Sequence, residues 1–177
     1  MNNNLIITIG REYGTGGREI GQKLALRLGI PFYDRELITR AAKKTGFDEK
    51  LFEQLDKRAT NSFLYSLTMF GSVGLNGMSL TDQLYLAQAN IIREMAEDSS
   101  CVIVGRCADH VLRDFPNKFD FFIHGSIEDR VKRIQTCGDY EIEGKTPESA
   151  LEKMDKQRST YYNYYTGKVW GKCDHYD

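Results

Sequence analysis

Residues 5–21 constrain this chain more than any other segment. The apolar, β-branched run Leu5-Ile6-Ile7-Thr8-Ile9 ends in the glycine-rich turn Gly10-Arg11-Glu12-Tyr13-Gly14-Thr15-Gly16-Gly17. Arg18-Glu19-Ile20-Gly21 then opens a helical pattern that sets Ile20, Leu24 and Leu28 on one face. A strand that turns on glycines into a helix N-terminus makes an anion site, because free backbone N–H groups and the helix dipole converge there. Glycine lets the backbone take positive φ and approach a phosphate closely. The segment predicts phosphate binding with a nucleotide as carrier; the alternative is a purely structural turn.

The loop departs from both standard patterns. In the G-x-x-x-x-G-K-[ST] pattern, with Gly16 as the second glycine, Arg11 stands at the first, Gly17 at the lysine and Arg18 at the hydroxyl. In G-x-G-x-x-G, Gly14 and Gly16 are followed by Glu19 where the third glycine belongs. A dinucleotide-binding reading stays open, because Asp34 lies about 20 residues beyond Gly14, as a ribose-binding acid would.

The segment Arg11-Glu12-Tyr13-Gly14-Thr15-Gly16-Gly17-Arg18-Glu19-Ile20-Gly21 resembles the opening of the cytidylate kinase-like family, P-loop relatives of the nucleoside monophosphate kinases. Ile30-Pro31-Phe32-Tyr33-Asp34-Arg35-Glu36-Leu37-Ile38 resembles that family's second strand and the turn after it. Cys101-Val102-Ile103-Val104-Gly105-Arg106-Cys107-Ala108-Asp109 resembles its Gly-Arg segment. Asp155-Lys156-Gln157-Arg158 with Tyr161, Tyr162 and Tyr165 resembles its lid flank. The resemblance spans nearly the whole chain and implies ATP and Mg²⁺ as cofactors and a small-molecule nucleotide as substrate.

With 177 residues, one domain is expected. A formal net charge of -1 supplies no basic field, so no nucleic-acid partner is expected. No apolar run approaches the roughly 18 residues of a membrane span, and no basic-then-apolar leader precedes residue 5. Cys101, Cys107, Cys137 and Cys173 have neither C-x-x-C nor histidine-ligand spacing, so zinc is not expected and free thiols in the cytoplasm are. The oligomeric state stays open, with a dimer among the options.

Strands are expected at 5–9, 31–33, 101–104 and 119–124, with helices between them. That alternation predicts a three-layer α/β fold with a parallel sheet. The expected organisation is a single P-loop kinase-like domain. Its core is 1–35 and 98–135, its helical acceptor-binding insertion 36–97, and its lid with flanking helix 136–165. Gly71, Gly74 and Gly77 mark a costly-to-order loop within the insertion. Pro147 and Glu148 mark a helix start. Relatives of this type continue beyond Tyr176-Asp177 into one more strand and a helix, so an exposed sheet edge is expected.

Phosphoryl transfer needs positive charge and donors around the transferring group, an in-line acceptor and a metal. Gly14, Thr15, Gly16 and Gly17 form the expected cradle. Arg18 and Arg11 are candidates for the missing lysine's charge, since a guanidinium grips phosphate bidentately. Thr15 is the candidate metal ligand. Glu12 and Glu19 face away, pair with Arg11 and Arg18, or hold the metal.

By the resemblance, Asp34 positions acceptor or metal, Arg35 meets the acceptor phosphate, and Arg106 binds the acceptor. Asp109 stands two residues beyond the family's aspartate position, which Cys107 fills. Arg130, Arg133 and Arg158 are the implied catalytic lid arginines. Tyr161, Tyr162, Tyr164 and Tyr165 are expected to pack against the sheet rather than stack on a base. The expected activity is ATP-dependent phosphoryl transfer to a nucleoside monophosphate. The alternative is a non-catalytic nucleotide sensor on the same fold.

Overall fold

A computed structural model describes residues 3–34, 79–138 and 146–177, together with Arg40 and Tyr140. Arg35, the three glycines at 71, 74 and 77 and most of the expected insertion lie outside the described residues.

In chain order the elements are β1 (Ile6–Arg11), α1 (Gly17–Leu28), β2 (Phe32–Tyr33), α2 (Leu80–Asp98), β3 (Cys101–Val104), α3 (Ala108–Val111), β4 (Lys118–Ile123), α4 (Ile127–Thr136) and α5 (Pro147–Thr166). A short 3₁₀ turn follows at Cys173–His175. The strands form one parallel sheet in the order β2-β3-β1-β4, with Ile6 opposite both Cys101 and Lys118. β3 lies between β1 and β2, whereas a dinucleotide-binding sheet sets β2 beside β1. The dinucleotide reading of Asp34 therefore fails on topology.

Alternate residues of each strand face opposite layers. Ile7, Ile9, Val102 and Val104 pack under α1 through Ala25 and Leu24. Ile6, Cys101 and Ile103 pack under α2 and α3 through Leu84, Ile92, Met95 and Leu112. Burial on both faces explains why β3 is an unbroken apolar run rather than an alternating one.

Of the apolar row Ile20, Leu24 and Leu28 on α1, Leu24 packs against the core. Ile20 and Leu28 are 43% and 45% exposed, and the face against the sheet is Gly17, Gly21 and Ala25. A Cβ on Gly21 would lie 2.9 Å from Val104 and 3.0 Å from Phe32. The helix sits so close to the sheet that only small residues fit beneath it, and the larger ones are pushed to its flanks.

Local chemistry fixes the other helix ends. Ser79 caps α2, Ser126 caps α4, and Thr146 forms a reciprocal cap with Ser149 beside Pro147 at the start of α5. The outer edge of β4 is met at Asp120, whose carbonyl accepts from Asp177 N and whose N–H donates to the Asp177 carboxylate, both at 2.8 Å. Among the described residues, no helix is long and apolar enough to cross a membrane.

The buried thiols and phenols make an alkaline limit to stability. Burial pushes Cys101 up to about 12 from 9.0, and Tyr85 and Tyr176 up to about 12 from 10.0. The folded chain thus holds these protons more tightly than the unfolded chain. Their contribution is complete below pH 9.0 and is lost as pH rises toward about 12. Arg11, lowered to about 9 from 12.5, acts in the opposite sense over that window but is a single group. Urea midpoints should fall between about pH 8 and about pH 10.5; a flat or rising profile would contradict this assignment.

Candidate functional site

The glycine loop is held in shape by its own backbone and by α4. Gly14 and Gly16 have φ of +80° and +75°, the left-handed region that glycine enters freely. A Cβ on Gly14 would lie 3.0 Å from the Arg130 carbonyl oxygen, and one on Gly16 would lie 2.7 Å from Arg133 Cζ. Both positions therefore need glycine twice, for conformation and for the close approach of α4. Gly16 caps α1 without any side-chain hydrogen bond, so no capping side chain answers the amides of the first turn. Such a helix start offers N–H groups to an anion.

A bracket of charged side chains fixes the entry to the loop. Asp155 Oδ1 accepts from Tyr13 N at 2.7 Å, while Arg130 Nε donates to Tyr13 O, also at 2.7 Å. Arg130 Nη2 also pairs with Asp155 Oδ2. Burial raises the Asp155 carboxyl above its ordinary range, against the Tyr13 N–H and the Arg130 and Arg158 charges that lower it.

The two loop glutamates pair with α4, and not with Arg11 and Arg18 as the sequence reading offered. Glu12 Oε2 accepts from Gly125 N at 3.0 Å and lies 3.5 Å from Arg130 Nη1. Glu19 accepts from Arg133 at 2.8 Å and from Lys23 at 2.6 Å. The sequence separation of 114 residues between Glu19 and Arg133 explains why no local pattern showed the pair.

Beside the loop, at the carboxyl ends of β1, β2 and β3, lies a cavity of about 230 Å³. Arg11, Arg106 and Arg158 line it, as do Asp34 and Asp109. Arg11 runs from the end of β1 with its Cβ against Gly17 and its guanidinium against Gly105. Arg158 Nη1 donates to Arg11 O at 3.2 Å, and its guanidinium sits 5.2 Å from the Tyr13 ring centre. Gly105, Arg106 and Cys107 follow one another at φ of +79°, +59° and +56°. Two non-glycine residues in the left-handed region store backbone strain, and such strain concentrates at functional turns.

This cavity is electropositive. Burial lowers the Arg11 pKa to about 9, the Arg158, Arg106 and Arg18 charges lower it further in sense, and Asp34 opposes them. Burial lowers Arg158 as well, with Asp155 opposing. Neighbouring guanidiniums partly withdrawn from water favour an anion between them.

The other candidates fall around this centre. Arg18 does not line the cavity; it is half-exposed and donates from Nε to Asp34 Oδ2 at 2.8 Å. Of the two candidates for the lysine's charge, Arg11 is thus the one within the cavity wall. Thr15 Oγ1 donates to Glu12 O at 2.9 Å, which commits its proton and leaves oxygen lone pairs for a metal. Among the described residues, no group of three or more His, Cys, Asp or Glu is arranged for a metal. Of the two oxygens at the candidate metal positions, Asp34 Oδ2 already accepts from Arg18, and Thr15 Oγ1 keeps its lone pairs. Arg133 sits over Gly16, whereas Arg130 is buried in the bracket described above.

Several lining residues had no sequence signal as site residues: Gln157, Trp170 and Tyr176. The tyrosine cluster packs mainly against α2, not the sheet. Tyr85 and Tyr165 stack at 4.0 Å, and Tyr161 OH donates to Gln88 Oε1 at 3.3 Å. Tyr162 OH donates to Asp109 Oδ2 at 2.6 Å, while Tyr164 is 49% exposed. The four-residue spacing of Gln157 with Tyr161 and of Arg158 with Tyr162 was the one available hint of a common helix face.

A family model described as the cytidylate kinase-like family matches residues 6–177. No curated protein is matched. Among solved structures, an uncharacterized protein from Eubacterium ventriosum ATCC 27560 is 33% identical, with 98% of this chain and 86% of that chain covered and a TM-score of 0.67. A shikimate kinase from Bacteroides thetaiotaomicron is 15% identical, with 90% of this chain and 82% of that chain covered and a TM-score of 0.52. At 15% identity the second likeness is one of fold.

Proposed function

The chain belongs to the cytidylate kinase-like family, and from that premise we propose that it transfers the γ-phosphoryl group of ATP to a nucleoside monophosphate. The observation that carries the reading is the meeting of Arg11, Arg106 and Arg158 with Asp34 in one cavity beside an uncapped glycine-loop helix start. In the proposed reaction an acceptor oxygen bonds to the γ-phosphorus, and the bond to the β–γ bridging oxygen breaks to leave ADP. The loop amides hold the polyphosphate, and Arg11 supplies the charge that a lysine gives in the standard loop. Arg158 and Arg133 face the charge that spreads over the transferring oxygens, and Arg106 with Asp34 orients the acceptor. Mg²⁺, when bound, neutralises phosphate oxygens.

Coupled ADP release with Mg²⁺ and a panel of nucleoside monophosphates tests this reading. Acceptor-dependent turnover is the expected result. Absence of turnover with every acceptor, together with no heat of ATP binding, would end it. Gly17 at the lysine position favours a second reading, a non-catalytic nucleotide-binding protein. That reading requires ATP to raise the melting temperature while turnover stays at background.

A further inference from the structure

Gln157 is 8% exposed and lines the cavity, and among the described residues its Oε1 has no hydrogen-bond partner. Its neighbour in sequence is Arg158, which lines the same cavity. Buried side-chain amides normally find partners, so an orphaned acceptor at a cavity wall calls for an explanation. α5 is well formed around it, with Leu151, Tyr161 and Tyr162 buried, so poor local packing does not account for it. Nearby, Tyr162 OH already donates to Asp109 at 2.6 Å, so that phenol's proton does not serve Gln157. What the oxygen lacks is a donor, and the cavity that Gln157 lines is where one can enter.

We propose that Gln157 is a specificity-determining residue: its amide oxygen accepts a hydrogen bond from a hydroxyl or amino group on the body of an anionic acceptor. This rests on the proposed phosphotransferase reading for the word acceptor, though not for the binding itself. Arg106 takes the anionic head, and the α5 wall takes the body. A ribonucleoside monophosphate and a small hydroxylated carboxylate both carry that chemistry. A site built to hydrogen-bond a substrate donor rejects the analogue that lacks it, because the site's own polar group is then left unpaired.

Direct binding by calorimetry separates this inference from the question of catalysis. The probes are ribonucleoside monophosphates, their 2′-deoxy and 3′-deoxy counterparts, and hydroxylated carboxylates with their deoxy analogues. Each is titrated into the full chain and into Gln157→Leu, with and without a non-hydrolysable ATP analogue. The wild-type protein should bind one hydroxylated anion at least about 10-fold more tightly than the analogue lacking that hydroxyl, and Gln157→Leu should erase the difference. The arm in which discrimination appears identifies the source of the hydroxyl. The free Gln157→Leu protein should melt no lower than wild type, because removing an unpaired buried acceptor is close to neutral; a purely structural glutamine would give a clear loss. Gln157→Glu, close in shape, checks that the wall tolerates substitution. Unchanged discrimination in Gln157→Leu, or no binding of any hydroxylated anion, would overturn the inference. Discrimination without turnover would uphold it and overturn only the phosphotransferase reading.

Discussion

Arg11→Met should lower phosphoryl-transfer turnover on the order of 10³-fold, the scale seen when a charge-stabilising arginine is removed from a phosphoryl-transfer site. The same variant should abolish the ATP-induced rise in melting temperature. The argument is electrostatic. Arg11 stands at the end of β1 where the standard loop has its first glycine, and its guanidinium reaches the cavity beside Gly105. Burial and the neighbouring Arg158 already weaken its hold on its proton, with Asp34 opposing. A polyanion relieves that repulsion and a methionine has none to relieve. The free protein should be no less stable than wild type, because the folded surroundings already disfavour the Arg11 charge. Activity and thermal shift that survive in Arg11→Met would move the phosphate-holding role to another residue, with Arg18 next in line.

Asp155→Ala should destabilise the fold by about 3–5 kcal/mol, the cost of leaving one member of a buried ion pair uncompensated. Asp155 joins three elements: it accepts from Tyr13 N in the loop, pairs with Arg130 of α4, and belongs to α5. Without it, Arg130 keeps only Glu12 at 3.5 Å as an ion-pair partner among the described residues. Burial works against the Asp155 charge, with Tyr13 N–H and Arg130 opposing, and a buried pair is by itself weak evidence of net stability. It serves instead to fix the loop entry, and its rupture is what costs. Asp155→Asn keeps an acceptor for Tyr13 N and should lose less. Equilibrium urea unfolding measures both variants, and an Asp155→Ala loss below about 1 kcal/mol would show that the bracket is dispensable.

The elements that could be read from the chain are those whose causes are local. The strand–glycine–helix opening, the apolar run at β3 and the Pro147 helix start all depend on residues within one turn or one strand of each other. The family resemblance rests on the same segments, and the matching family model covers residues 6–177. How much of the α1 row is buried has a non-local cause: Leu24 meets the core while Ile20 and Leu28 stay partly exposed, because Val104 and Phe32 lie so close beneath the helix that Gly21 faces them.

The sequence by itself determined that a strand–glycine loop–helix opens an α/β fold, because glycine conformations and apolar periodicity are properties of neighbouring residues. The tertiary structure alone decided which guanidiniums line the cavity, which carboxylates hold Arg130 and Arg133, and that the Gln157 amide oxygen has no partner among the described residues. Those outcomes depend on charges and shapes brought together across more than a hundred residues of chain, as in the Glu19–Arg133 pair. The energy that orders them is burial and electrostatics, which no spacing rule along the chain encodes.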